Sequence, residues 1–101
     1  MSKAETARKN RRRGKAFQYK SAKLLGAKNV GGLGGEDGEM ENFSVEAKSR
    51  KAFVGRKWME QAVRNCPEGK IPIVHVHVRG DQYVNDVVMI RLVDFKKLAR
   101  L

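Results

Sequence analysis

Asp37, Glu46 and Lys48 are the residues whose types and spacing suit chemistry most directly. The run Phe43-Ser44-Val45-Glu46-Ala47-Lys48 alternates apolar and polar positions, the period of a half-buried strand. On such a strand Ser44, Glu46 and Lys48 share one face, and Phe43, Val45 and Ala47 take the other. Asp37 precedes Glu46 by nine residues (46 − 37), a separation at which a hairpin folds back beside the strand end. Two carboxylates so placed hold Mg²⁺, or Mn²⁺ as a substitute, through oxygen, the donor that hard cations prefer. The metal orients water, stabilises charge developing on a phosphate and assists the leaving oxygen. Lys48 beside them positions the attacking water or offsets phosphate charge. The competing reading is a solvated hairpin with a surface Glu–Lys pair, because a Glu-x-Lys triplet is common.

The elements that must position these residues are legible on either side. Lys3 to Lys23 holds nine basic residues and one acid, no Pro and one Gly, and reads as a helix stopped by Gly26. Phe17, Ser21, Leu24 and Leu25 fall on one face of it, and residues 1–13 form a basic extension with little to bury, free to fray. Val30 to Gly35 reads as a short strand or loop, followed by an acidic island: five of the 11 acids lie between Glu36 and Glu46. A turn around Gly38 or Asn42 leads into the Phe43–Lys48 strand. Gly55 opens a helix with an apolar stripe of Trp58, Met59, Ala62, Val63 and Cys66, ended by Pro67-Glu68-Gly69. Ile71 to Val78 is a β-branched strand; Val87 to Ile90 is a second, continuously apolar and expected to be buried on both faces. Asp94 is placed to cap a last helix from Phe95 to Leu101. The order α-β-β-β-α-β-β-α describes one α/β domain spanning residues 1–101.

Composition narrows the partners. Lys and Arg number 22 against 11 Asp and Glu, a formal net charge of +11, which draws polyanions. The basic segment offers too few large apolar residues for a membrane-surface helix, and no apolar run approaches a membrane span, so nucleic acid leads and a membrane is not expected. The lone Cys66 permits no internal disulfide and reads as packing. With no apolar leader at the start, a cytoplasmic setting is expected, the host's cytoplasm if the protein is phage-encoded. A domain this small gains by dimerising. Arg11, Arg12, Arg13, Lys15 and Lys20 are suited to phosphates, and Arg50 and Lys51, which follow the candidate catalytic strand, are the better DNA contacts. His75 and His77 share a strand face without a third His or Cys near them, so an ordinary or interface-facing strand is the expectation. Trp58 reads as core and Gln61 as a surface amide.

Asp37 with Glu46-x-Lys48 resembles the PD-(D/E)xK nuclease signature. The stretch from Gly14 to Gly26 is similar to the first helix of archaeal-type Holliday junction resolvases and their phage relatives. Phe43 to Lys51 is similar to their catalytic strand and the basic residues after it, and the likeness covers roughly Gly14 to Val78. It implies a restriction-endonuclease-like mixed β-sheet flanked by helices, a two-fold homodimer, Mg²⁺ dependence and paired nicks across a four-way junction, with no small-molecule substrate. Asp37 and Glu46 would then be metal ligands, the Ala47 carbonyl a third ligand, and Lys48 the aid to water. The family's first helix usually offers a Glu near the metal; Gln18 stands at the corresponding position and brings no charge. The family's useful Ser on the following loop has no counterpart in Gly31-Gly32-Leu33-Gly34-Gly35. A nicking or flap nuclease of the same superfamily is a related alternative, and a non-catalytic basic nucleic-acid-binding protein is the alternative from another class.

Overall fold

The computed structural model describes residues 2–51 and 54–101, the side chain of Leu33 aside. Helix α1 (Lys3–Leu25) starts where Ser2 accepts a hydrogen bond from the Glu5 N–H at 3.1 Å. It stops at Gly26, whose left-handed conformation (φ 69°) costs a residue without a Cβ nothing. Its buried face is Phe17, Ser21 and Ala22; Leu24, expected on that face, is 48% exposed in the last turn, one residue before the helix ends. Residues 2–13 touch solvent throughout, so the N-terminal half of the helix rests on its own propensity.

Five strands make one mixed sheet in sequential order: β1 (Lys28–Asn29), β2 (Gly38–Glu39), β3 (Phe43–Arg50), β4 (Ile71–Val78) and β5 (Val87–Ile90). All neighbours are antiparallel except β3 and β4, which run parallel and are joined through helix α2 (Gly55–Asn65). The short strand precedes the expected Val30–Gly35 stretch, where Gly31–Leu33 instead form a 3₁₀ turn. Gly38 belongs to β2 and the turn falls at 40–43, closed by the Met40 N–H on the Phe43 carbonyl.

The parallel register decides which side chains share a face. Val45 and Ala47 lie beside Ile73 and His75, and Glu46 and Lys48 beside Val74 and Val76. Phe17 of α1 meets His75 and His77, whereas Trp58 and Ala62 of α2 form a buried cluster with Val74 and Val76. Each of the larger apolar side chains among these contributes about 1.5–3 kcal/mol by burial. β3 and β4 are thus covered on both sides, which corrects the half-buried expectation for β3. Ser44 and Glu46 are buried, since the α2 crossover roofs the face they occupy.

Two expectations fail at the C-terminal end. Val87 and Val88 are 48% and 47% exposed, because β5 is an edge strand and the two large helices cover the middle of the sheet. Only Met89 reaches the Trp58 cluster. Helix α3 spans Leu92–Ala99 with Arg91 as its N-cap; Asp94 sits inside its first turn and takes a 2.9 Å bond from Arg91 Nε, so it does not cap. Within α2, Val63 is 38% exposed and stands outside the stripe expected for it, whereas Trp58 and Ala62 are buried as core. No described helix is long and apolar enough to cross a membrane.

Candidate active site

The site is a consequence of β2 being short. β2 pairs only with Ser44 and Val45, so from Glu46 onward that edge of β3 is left without a strand neighbour in the ladder. Asp37, the residue before β2, fills the opening: its N–H donates to the Val45 carbonyl at 2.8 Å and its Oδ2 accepts the Ala47 N–H at 3.0 Å. Residues of one parity on a strand turn their peptide groups to the same edge, so Ala47, like Val45, directs its carbonyl toward Asp37. The carboxylate expected to fold back beside the strand therefore lies against it, 9% exposed.

Glu46 is 3% exposed. Its Oε1 is 3.2 Å from Lys48 Nζ, while its Oε2 is buried without a hydrogen-bond partner. Burial, and then the neighbouring charge of Asp37, push its pKa from 4.5 up to about 7; Lys48 pulls the other way and does not win. A buried carboxylate oxygen without a donor costs free energy unless a proton or a cation meets it. One ammonium does not balance two crowded carboxylates, so the donor set fits a divalent cation.

Gln18 reaches the same place from α1. A Cβ on Gly31 would lie 2.8 Å from the Gln18 Cδ and 3.4 Å from Asp37 Oδ1, so the absence of a side chain at residue 31 lets the amide approach the carboxylate. Asp37, Glu46, Ala47 and Lys48 thus meet at the edge of β3, and Gln18 approaches Asp37 from α1. Among the described residues no group of three or more His, Cys, Asp or Glu is arranged to hold a metal. The site offers two carboxylates and a backbone carbonyl. Mg²⁺ is commonly held by one or two carboxylates, with water completing the shell.

Of the residues expected to meet phosphates, Arg11, Arg13, Lys15 and Arg50 line one cleft of about 500 Å³ together with Gln18. Arg12 lies round the helix in a groove with Glu5, Arg8 and Lys9. Lys20 sits 5.0 Å above the Tyr83 ring, and Lys51 is exposed beyond the end of β3. No family model, curated protein or solved structure matches the chain.

Two features escaped the sequence reading. Arg79, just past β4, lines the same cleft as Arg13 and Arg50, yet stood in a stretch that reads only as a turn. On the α1 face, His75 Nε2 and His77 Nδ1 bond the two oxygens of Asp86 at 2.7 and 2.6 Å, and Ser21 Oγ bonds His75 Nδ1 at 2.7 Å. Both histidines are therefore buried core groups tied to a carboxylate, not interface residues. The alternation of His75 and His77 was the signal; nothing local marked Asp86 as their partner. Cys66, expected to complete the apolar stripe, is instead the half-buried C-cap of α2 outside the Trp58 cluster, its thiol within reach of the carbonyls of Pro67 and Lys70 at 3.4 and 3.3 Å.

Proposed function

We propose that the protein is a Mg²⁺-dependent DNA endonuclease of the restriction-endonuclease-like, PD-(D/E)xK type that resolves four-way junctions by paired symmetric nicks. The observation that carries this reading is the buried Glu46 with a partnerless Oε2, set beside Asp37 and Lys48 at the free edge of β3. Asp37, Glu46 and the Ala47 carbonyl would hold the ion. When bound, Mg²⁺ supplies charge stabilisation at a phosphate oxygen and lowers the pKa of a coordinated water. Lys48, held by Glu46 at 3.2 Å, orients a water or offsets charge on the phosphate. Gln18 orients water by hydrogen bonding and adds no charge. Arg11, Arg13, Lys15 and Arg50 hold the DNA backbone beside this site, with Arg12, Lys20 and Lys51 at its periphery.

One chain carries one such site, and two symmetric cuts require two chains, so the working unit is a homodimer. A second reading, a basic DNA-binding protein without catalysis, is favoured by one observation: two acids stand at the site where a third would strengthen metal binding. A synthetic four-way junction incubated with Mg²⁺ separates the two. Paired nicks that disappear in Glu46→Ala and Lys48→Ala support the nuclease. Tight binding with no metal-dependent cut in the wild type supports the second reading. Cutting of flaps or nicking of linear duplex at equal rates would move the assignment to another substrate geometry with the same chemistry.

A further inference from the structure

The cleft between α1 and the far ends of β3 and β4 does not stop at the residues already assigned to DNA. Its lining includes Arg13, Arg50 and Arg79, and it continues into a second cavity of about 290 Å³ that shares Arg13, Ser49 and Arg79 with the first. No carboxylate lines either cavity among the described residues. The Arg79 N–H donates to the Arg50 carbonyl at 3.0 Å, so strand pairing fixes the two arginines side by side at one end of the sheet. The Arg79 Nε is buried and meets no hydrogen-bond acceptor. A solvated surface arginine has no such atom: water would satisfy it. Three guanidiniums lining one cleft without an acid repel one another, and an anion seated among their cleft-facing N–H groups relieves that cost.

The cleft's lining also includes Gln18, whose amide neighbours Gly31 and Asp37, so the arginine-lined floor reaches the flank of the candidate active site. The wall of the second cavity is stiff, because His77 stacks between Phe17 and Tyr83, with ring centroids 5.7 and 4.2 Å away. We infer that this cleft is a phosphate track for the DNA strand flanking the cut, with Arg79 as its anchor and Arg13 and Arg50 as its sides. A planar guanidinium lining the cleft suits a phosphodiester's paired oxygens better than a mobile ammonium does. The direction of the strand, from Asp37 toward Arg79, rests on the nuclease reading; the anion site does not.

The test is fluorescence anisotropy with a labelled four-way junction in EDTA, so that binding is read without cleavage. Arg79→Gln is expected to weaken binding about tenfold at low salt. It should also flatten the slope of log affinity against log salt by about 0.9 for each cleft that engages DNA. Lys97→Gln, on the remote helix α3, is expected to leave the low-salt affinity within about twofold. An Arg79→Gln protein with wild-type affinity and slope overturns the proposal. Should that variant fail to fold, phenylglyoxal labelling of the wild-type protein decides: DNA must protect Arg79, and equal labelling with and without DNA overturns it. Wild-type protein that binds through Arg79 but never cuts sinks the nuclease and leaves the cleft. Cutting by Arg79→Gln at wild-type affinity does the reverse.

Discussion

Replacing Glu46 by Gln should make the metal-free protein more stable at pH 8, although the substitution removes a charged partner of Lys48. Burial and Asp37 hold the Glu46 carboxyl at about 7, against 4.5 as its ordinary value. Between these values the folded protein binds a proton that the unfolded chain has released. Stability is therefore full below about 4.5, falls as pH rises through the window, and levels above about 7. The ionised form then costs about 2–3 kcal/mol, the lower end allowing for residual solvation. Gln is the near-isostere of the protonated acid, so Lys48 faces the same neutral partner in both and its loss is already counted. For a domain of this size the gain corresponds to a rise in Tm of roughly 10–15 °C. Calorimetric scans in EDTA at pH 5 and pH 8 measure it: nearly coincident curves at pH 5 and a large gap at pH 8 are expected. A Glu46→Gln protein no more stable than wild type at pH 8, or a gap independent of pH, refutes the reasoning. Adding Mg²⁺ at pH 8 should close the gap by stabilising only the wild type.

Gln18→Glu places a third carboxylate near Asp37 Oδ1. It should tighten Mn²⁺ binding about tenfold, read by titration calorimetry, and lower the metal-free Tm at pH 8. Gly31→Ala drives a Cβ to 2.8 Å from the Gln18 Cδ, with Asp37 Oδ1 at 3.4 Å limiting the retreat. Urea unfolding should show a loss of about 1–3 kcal/mol that the double variant Gly31→Ala, Gln18→Ala largely restores.

Much of this arrangement was legible because it is written in local periodicity. The alternation through Phe43–Lys48 set the strand and put Glu46 and Lys48 on one face, and the ladder with β4 agrees residue by residue. Gly26 ended α1 as its type demands. What periodicity could not convey was cover. A helix arriving over Ser44 and Glu46 turned a face expected in solvent into an interior one, and that burial is what displaces the Glu46 pKa. The apolar run Val87–Ile90 carried no sign that it would lie at the sheet edge, because edge position follows from strand order rather than composition. Asp94 looked like a cap until Arg91 took its carboxylate. Arg79 and Asp86 were invisible for a similar reason: each acquires its meaning from partners on other elements.

Counting bound Mn²⁺ by electron paramagnetic resonance reaches the centre of the account. At pH 7.5 one ion per chain should bind in the wild type, and the signal of bound ion should vanish in both Asp37→Asn and Glu46→Gln while each stays folded. Stoichiometric Mn²⁺ that persists undiminished in both variants, or a wild type that takes up none at millimolar concentration, would contradict it.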